Sequence, residues 1–100
     1  MNKKIGVVIL NWNGRAVLEQ YLPSVIRNSK QDGVVVYVVD NGSTDDSVSW
    51  LKDNYPNEIE LIIFEENHGY AGGYNKVLKQ LDCEYVMLLN SDVEVTPYWL

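Results

Sequence analysis

Val34-Val35-Val36-Tyr37-Val38-Val39-Asp40-Asn41-Gly42-Ser43-Thr44-Asp45 is the stretch on which the reading of this chain turns. A β-branched run without a polar face suits a strand buried on both sides, as in a parallel sheet. It stops abruptly in a carboxylate, an amide, a glycine, two hydroxyls and a second carboxylate. Ser43, Thr44 or Asp45 can cap the helix expected next, because each accepts hydrogen bonds from free first-turn N–H groups. Asp40 therefore falls at the carboxyl end of a buried strand, where open α/β sheets bind their ligands.

Upstream, Ile5 to Leu10 reads as the first buried strand, closed by Asn11-Trp12-Asn13-Gly14. Leu18, Leu22, Val25 and Ile26 follow at helical spacing. Pro23 interrupts them and predicts a kink, or a helix that starts late. Gln31-Asp32-Gly33 is the turn into the central strand, which ends at Asp40. Downstream, Val48, Leu51 and Tyr55 form a second helical stripe, stopped before Pro56. Ile59 to Phe64 is a third strand, and Glu65 to Gly73 a loop opening into a third helix. That helix is expected to face Tyr74, Val77, Leu78 and Leu81 inward. Glu84 to Leu89 is a fourth strand, followed by Asn90-Ser91-Asp92-Val93-Glu94.

The order β-α-β-α-β-α-β, with right-handed crossovers, predicts an α/β fold: a Rossmann-like three-layer domain with a mainly parallel sheet. Thr96-Pro97 is a helix-start signature, and Tyr98, Trp99 and Leu100 begin an apolar stripe. The chain is therefore expected to be the N-terminal piece of a longer protein.

The 100 residues are 46% hydrophobic and 22% charged, ordinary for a globular domain and too apolar for disorder. With 8 basic residues, unclustered, and a net charge of −6, the chain lacks what nucleic acid or an anionic bilayer requires. An anionic ligand would need a cation or helix N-termini to hold it. Cys83 is the single cysteine and excludes an internal disulfide. Gly6 to Leu10 is too short for a signal-peptide core, and no stretch approaches the roughly 20 apolar residues of a membrane span. A cytoplasmic location follows as the expectation.

Three strand ends carry polar sets: Asn11 with Asn13, Asp40 with Asn41, and Asn90 with Asp92 and Glu94. In a parallel sheet they share one rim and can converge on one ligand. Asp92 and Glu94 are hard oxygen donors suited to Mg²⁺ or Mn²⁺. A metal there could join an acidic protein to a diphosphate, while Asp40 could accept hydrogen bonds from a base or ribose.

Val-Val-Ile-Leu-Asn-Trp-Asn-Gly at 7–14, Val-Val-Asp-Asn-Gly-Ser-Thr-Asp at 38–45, Asn-His-Gly-Tyr-Ala-Gly-Gly-Tyr-Asn at 67–75 and Leu-Leu-Asn-Ser-Asp-Val-Glu-Val at 88–95 follow one another. In that order the chain resembles family 2 glycosyltransferases of the GT-A fold, most closely the rhamnosyltransferase-like members. The resemblance spans essentially the whole chain. It implies a nucleotide-sugar-binding half domain, with Asn11, Trp12, Asn13, Asp40 and Asn41 toward the nucleotide. Gly69, Gly73 and Asn75 would line the nucleotide or donor-sugar side.

The family's Asp-x-Asp metal motif falls on Asn90-Ser91-Asp92, which keeps only the second acid. Asp92 is then the expected ligand of Mg²⁺ or Mn²⁺, with Asn90 a neutral partner and Glu94 a further candidate. The family's usual second acid after the central strand is Asn41 here. The resemblance further implies inverting transfer from a nucleoside-diphosphate sugar to a glycan or lipid-linked acceptor, in polysaccharide or cell-surface glycan synthesis. It also implies a place in the cytoplasm or at the inner face of the membrane, and a general base beyond residue 100. The fragment alone is expected to be inactive.

Other readings compete. A non-catalytic nucleotide-binding or interaction domain would use the same rim without turnover. A dinucleotide-binding domain would want Gly-x-Gly-x-x-Gly after the first strand, which is missing. A phospho-accepting receiver would want its acid after the third strand, which ends in Phe64-Glu65-Glu66. Oligomeric state stays open at this level.

Overall fold

The computed structural model describes residues 3–91. Asp92, Glu94 and the Thr96-Pro97 helix start lie outside the described residues. The elements alternate strictly: β1 (Lys3–Asn11), α1 (Arg15–Asn28), β2 (Val34–Asn41), α2 (Ser47–Asn54), β3 (Glu60–Phe64), α3 (Tyr70–Leu78) and β4 (Cys83–Leu89). The strands run parallel in the order β3-β2-β1-β4. The chain thus adds β2 and β3 on one side of β1, then crosses back to place β4 on the other. Between β1 and β4 the winding reverses, and a crevice opens at such a switch point.

Alternation along the central strands divides the interior in two. Val7, Ile9, Val36 and Val38 pack with Leu18, Leu22, Val25, Ile26 and Leu51, which places α1 and α2 on one face. Val8, Tyr37, Val39 and Phe64 pack with Tyr74 and Val77, which places α3 on the other. Side chains on both faces of β1 and β2 are thereby covered, and the uninterrupted β-branched run is explained. Among the described residues, no helix is long and apolar enough to cross a membrane.

Two expectations need correction. The first helix does not start late: α1 begins at Arg15 and runs through Pro23. An interior proline lacks the N–H owed to the carbonyl four residues back and costs about 3 kcal/mol. Leu22, Val25 and Ile26 are all buried beside it. At roughly 1.5–3 kcal/mol for each such side chain, their burial outweighs the penalty. In α3, Leu78 is exposed rather than inward-facing. The buried line there runs through Gly73, Tyr74 and Val77, and at 3.6 residues per turn Leu78 stands roughly 90° from its centre. Leu81, beyond the helix, does pack against this cluster.

Tyr74 ties α3 to the end of β4, its hydroxyl donating to the Leu89 carbonyl at 3.1 Å. Burial, reinforced by the neighbouring Tyr70 phenol, pushes the Tyr74 phenol up to about 12 from 10.0. An unfolded chain would lose this proton first. Stability is therefore intact below the unfolded value and falls as pH rises between 10.0 and about 12. Tyr74→Phe should cost about 1 kcal/mol near neutrality through the lost hydrogen bond. Denaturant titrations at about pH 8 and about pH 11 should show that gap narrowing, because the variant has no phenol to ionise.

Candidate functional site

The loops after β1 and β2 are stitched together by side chains. Asn11 and Asp40 stand opposite each other in the β1–β2 register, and Asn11 Nδ2 donates to Asp40 Oδ1 at 3.1 Å. The Ser43 hydroxyl donates to the same oxygen at 2.6 Å, and the Ser43 N–H donates to Asp40 Oδ2 at 3.0 Å. Asp40 is only 1% exposed. Its carboxylate is thus a buried acceptor that holds both loops from beneath the rim. Asn11 is equally buried; its Oδ1 has no hydrogen-bond partner among the described residues and closely faces Gly14.

Asn13 supplies the upper stitch. It adopts a positive φ of 50°, a region that asparagine enters more readily than most residues. Its Oδ1 accepts from the Thr44 and Asp45 N–H groups at 2.7 and 3.1 Å, while its own N–H donates to Ser43 Oγ at 2.9 Å. Asp45 completes the join. Its Oδ2 accepts from the Arg15 N–H, the first residue of α1, and its Oδ1 from the Ser47 N–H, the first of α2. Burial alone would raise this carboxyl, but the Ser47 hydroxyl and N–H and the Arg15 N–H outweigh it and hold it below the ordinary value. Of the three capping residues expected after the central strand, Asp45 is the one that meets the α2 first turn.

A second set of contacts joins the end of β2 to the loop before α3. Asn41 Nδ2 donates to Asn67 Oδ1 at 3.1 Å and to the Gly69 carbonyl at 3.0 Å, while its Oδ1 accepts the His68 N–H at 3.0 Å. Gly42 has φ +78°, and a Cβ there would stand 2.5 Å from the Glu66 carbonyl carbon and 2.6 Å from the Asn67 nitrogen. Only glycine satisfies both demands. Gly73 lets α3 approach the same corner, since a Cβ on it would meet Asn41 Nδ2 and Leu10 Cδ1, each at 3.0 Å.

Between these corners lies a cleft of about 480 Å³ at the carboxyl ends of β1 and β4, lined by Trp12, Asn41, Asn67, Gly69, Tyr70 and Asn90, among others. It occupies the switch point. Trp12 and Tyr70 are 54% and 64% exposed, an unusual outlay of aromatic surface beside a polar rim. The Tyr70 hydroxyl donates to Asn90 Oδ1 at 3.1 Å, closing one side, and the Tyr70 ring meets Tyr74 edge-on at 4.9 Å.

Of the residues singled out from sequence, Trp12, Asn41, Gly69 and Asn90 line this cleft. Asn11, Asn13 and Asp40 support it through the loop network, Gly73 through close packing. Asn75 is exposed on α3, outside the lining residues. Asn67 and Tyr70 carry no role in the sequence reading, and Ser43 only that of a helix cap, although all three lie within the motifs at 38–45 and 67–75. A large aromatic directly after a glycine at a helix start was the available signal.

No basic side chain is among the described residues lining the cleft, and those residues hold no group of three or more His, Cys, Asp or Glu that could bind a metal. A diphosphate here would meet neutral amides, aromatic rings and glycine backbone. That donor set supplies hydrogen bonds and stacking surfaces and no positive charge.

The family model described as glycosyl transferase family 2 matches residues 6–100. An uncharacterised glycosyltransferase of Nostoc sp. is 32% identical over 100 residues, covering 97% of this chain and 30% of the relative. The teichoic acid poly(glycerol phosphate) polymerase of Staphylococcus epidermidis is 28% identical over 98 residues, covering 95% of this chain and 14% of the relative. The structure of S. aureus TarS 1–349 in complex with UDP-GlcNAc superposes with a TM-score of 0.75 at 28% identity, covering 89% of this chain and 26% of that one. The chain thus spans about a third or less of the proteins it matches.

Proposed function

The chain belongs to glycosyl transferase family 2, and from that membership we propose that the whole protein transfers a sugar from a nucleoside-diphosphate donor to a hydroxyl acceptor. The carrying observation is the neutral, aromatic-edged cleft at the β1/β4 switch point, on a fold shared with a relative captured with UDP-GlcNAc. Trp12 and Tyr70 offer flat faces to a base or sugar, and Asn90 an amide to ribose or phosphate. Asp40 serves the cleft indirectly, by fixing Asn11 and Ser43 and so the two loops beside it.

In the proposed reaction the acceptor oxygen attacks the anomeric carbon, the bond from that carbon to the diphosphate oxygen breaks, and configuration inverts. The acceptor proton passes to a general base beyond residue 100. Asp92, with Glu94, is the residue assigned to hold Mg²⁺ or Mn²⁺. When bound, the ion stabilises negative charge developing on the departing diphosphate. The likeness to a teichoic acid poly(glycerol phosphate) polymerase supports a role in cell-surface glycan synthesis; a glycan or lipid-linked acceptor and action at the cytoplasmic face of the membrane complete the proposal. The rhamnosyltransferase-like motifs make a dTDP-linked deoxyhexose one donor to try. Residues 1–100 form the nucleotide-sugar-binding part and are inactive alone.

The test is a thermal-shift titration of the whole protein with UDP, dTDP, GDP and NAD, with and without Mn²⁺. Metal-dependent stabilisation by one diphosphate is the expected result; stabilisation by NAD alone would overturn the proposal. Asp92→Ala should abolish the Mn²⁺-dependent part and slow transfer about 100-fold, the scale of losing one group that stabilises transition-state charge. Undiminished metal dependence in that variant would remove Asp92 from the site.

A further inference from the structure

We infer that Asn41 serves as a positioning residue, a strut that sets the Asn67–Gly69 wall of the cleft by donating hydrogen bonds, and is not a group that reads the nucleotide. The inference rests on the cleft being the nucleotide site.

Three observations carry it. Asn41 is 2% exposed, although its neighbours Trp12 and Tyr70 open widely onto the cleft. Both of its amide hydrogens are committed within the protein, one to Asn67 Oδ1 at 3.1 Å and one to the Gly69 carbonyl at 3.0 Å. Its oxygen accepts the His68 N–H at 3.0 Å. Gly69 is also held locally, its carbonyl accepting the Gly73 N–H at 2.9 Å and its N–H donating to Asn67 Oδ1 at 2.6 Å, and Asn41 ties this local turn to the end of β2. Asn41 therefore fixes the turn before α3 against the end of β2, and with it the point from which Tyr70 enters the cleft.

The polarity of the network gives the inference its test. Position 41 faces two acceptor oxygens and must donate to both. Position 67 faces two donors, Asn41 Nδ2 and the Gly69 N–H at 2.6 Å, and must accept from both through Oδ1. The same amide-to-carboxylate exchange thus has opposite consequences at the two sites. Asn41→Asp sets a carboxylate against two oxygens, whereas Asn67→Asp keeps both acceptor contacts on an exposed side chain. Each exchange adds one negative charge beside the same cleft, so repulsion of a diphosphate is matched between them.

The experiment measures the affinity of the whole protein for UDP and for GDP, with Mn²⁺, in wild type, Asn41→Asp and Asn67→Asp. Folding is checked by circular dichroism. Binding of either nucleotide by the wild type tests the site itself; the ratio between the two variants tests the strut. Asn41→Asp should bind about tenfold more weakly than Asn67→Asp at neutral pH, with much of the deficit recovered at about pH 5. There the protonated carboxyl at position 41 can again donate, to the Gly69 carbonyl. A group that reads the nucleotide by accepting from its base would behave in the opposite way, with Asn41→Asp binding as tightly as wild type or tighter at neutral pH. That result, or a deficit unchanged by acid, would overturn the inference. Should Asn41→Asp not fold, Asn41→Gln, which keeps the donors on a longer arm, takes its place. It should bind more weakly than Asn67→Gln, and equal affinity of that pair would overturn the inference in the same way.

Discussion

Gly42→Ala should destabilise the protein by about 4 kcal/mol, among the largest effects a single methyl can have. Two penalties combine. A left-handed backbone costs an L-residue roughly 1–2 kcal/mol, and Gly42 has φ +78°. The added Cβ would also stand 2.5 Å from the Glu66 carbonyl carbon and 2.8 Å from its Cα. These are backbone atoms, with no rotamer to give way. Relief requires moving the 66–67 backbone, which pulls Asn67 and Gly69 from their bonds to Asn41. Gly69→Ala is the comparison, because Gly69 also has a positive φ, +76°, but nothing lies within 4 Å of its Cβ position. With ψ 174° it lies in the extended positive-φ region and should lose only the conformational part, roughly 1–3 kcal/mol. Denaturant unfolding of both variants checks the difference; equal losses would mean that the close approach at Gly42 is of no account.

Asp40→Ala should cost about 3–4 kcal/mol, and for a different reason. The substitution strands the Ser43 N–H and deprives Asn11 Nδ2 and the Ser43 hydroxyl of their shared acceptor. An unsatisfied buried donor costs about 1–3 kcal/mol, and the space left by the carboxylate adds to it. Asp40→Asn keeps the shape but presents an N–H₂ to groups that themselves donate, so it should recover only about half of the loss. A folded Asp40→Asn protein also separates the two ways Asp40 could serve a nucleotide. Indirect support predicts an affinity that tracks stability. Direct contact predicts a further drop in protein still folded at the assay temperature.

The architecture was legible because the strongest signals were the least local in kind. The run Val34–Val39 can be buried on both faces only in a covered parallel sheet, and the structure places helices on both sides of it. Helix α1 was harder to read, because a proline rule is local whereas the burial of Leu22, Val25 and Ile26 is tertiary. Leu78 was misplaced because spacing alone does not reveal that Gly73 takes the helix's closest approach to the sheet, which turns the buried stripe away from it. At the site, sequence put the polar residues on the right rim but did not divide them into those that face the cleft and those that build it. Asp40, Asn13 and Asn41 are spent on contacts spanning 26 to 32 residues. No spacing rule reaches that far.

The carboxylate of Asp45 accepts the leading amide of α1 with one oxygen and that of α2 with the other. Two segments remote along the chain thereby share one anchor, and fraying of either loosens the other. Acidification that protonates this lone group would weaken both attachments in the same event, coupling the motions of the two helices on the Asp45 side of the sheet.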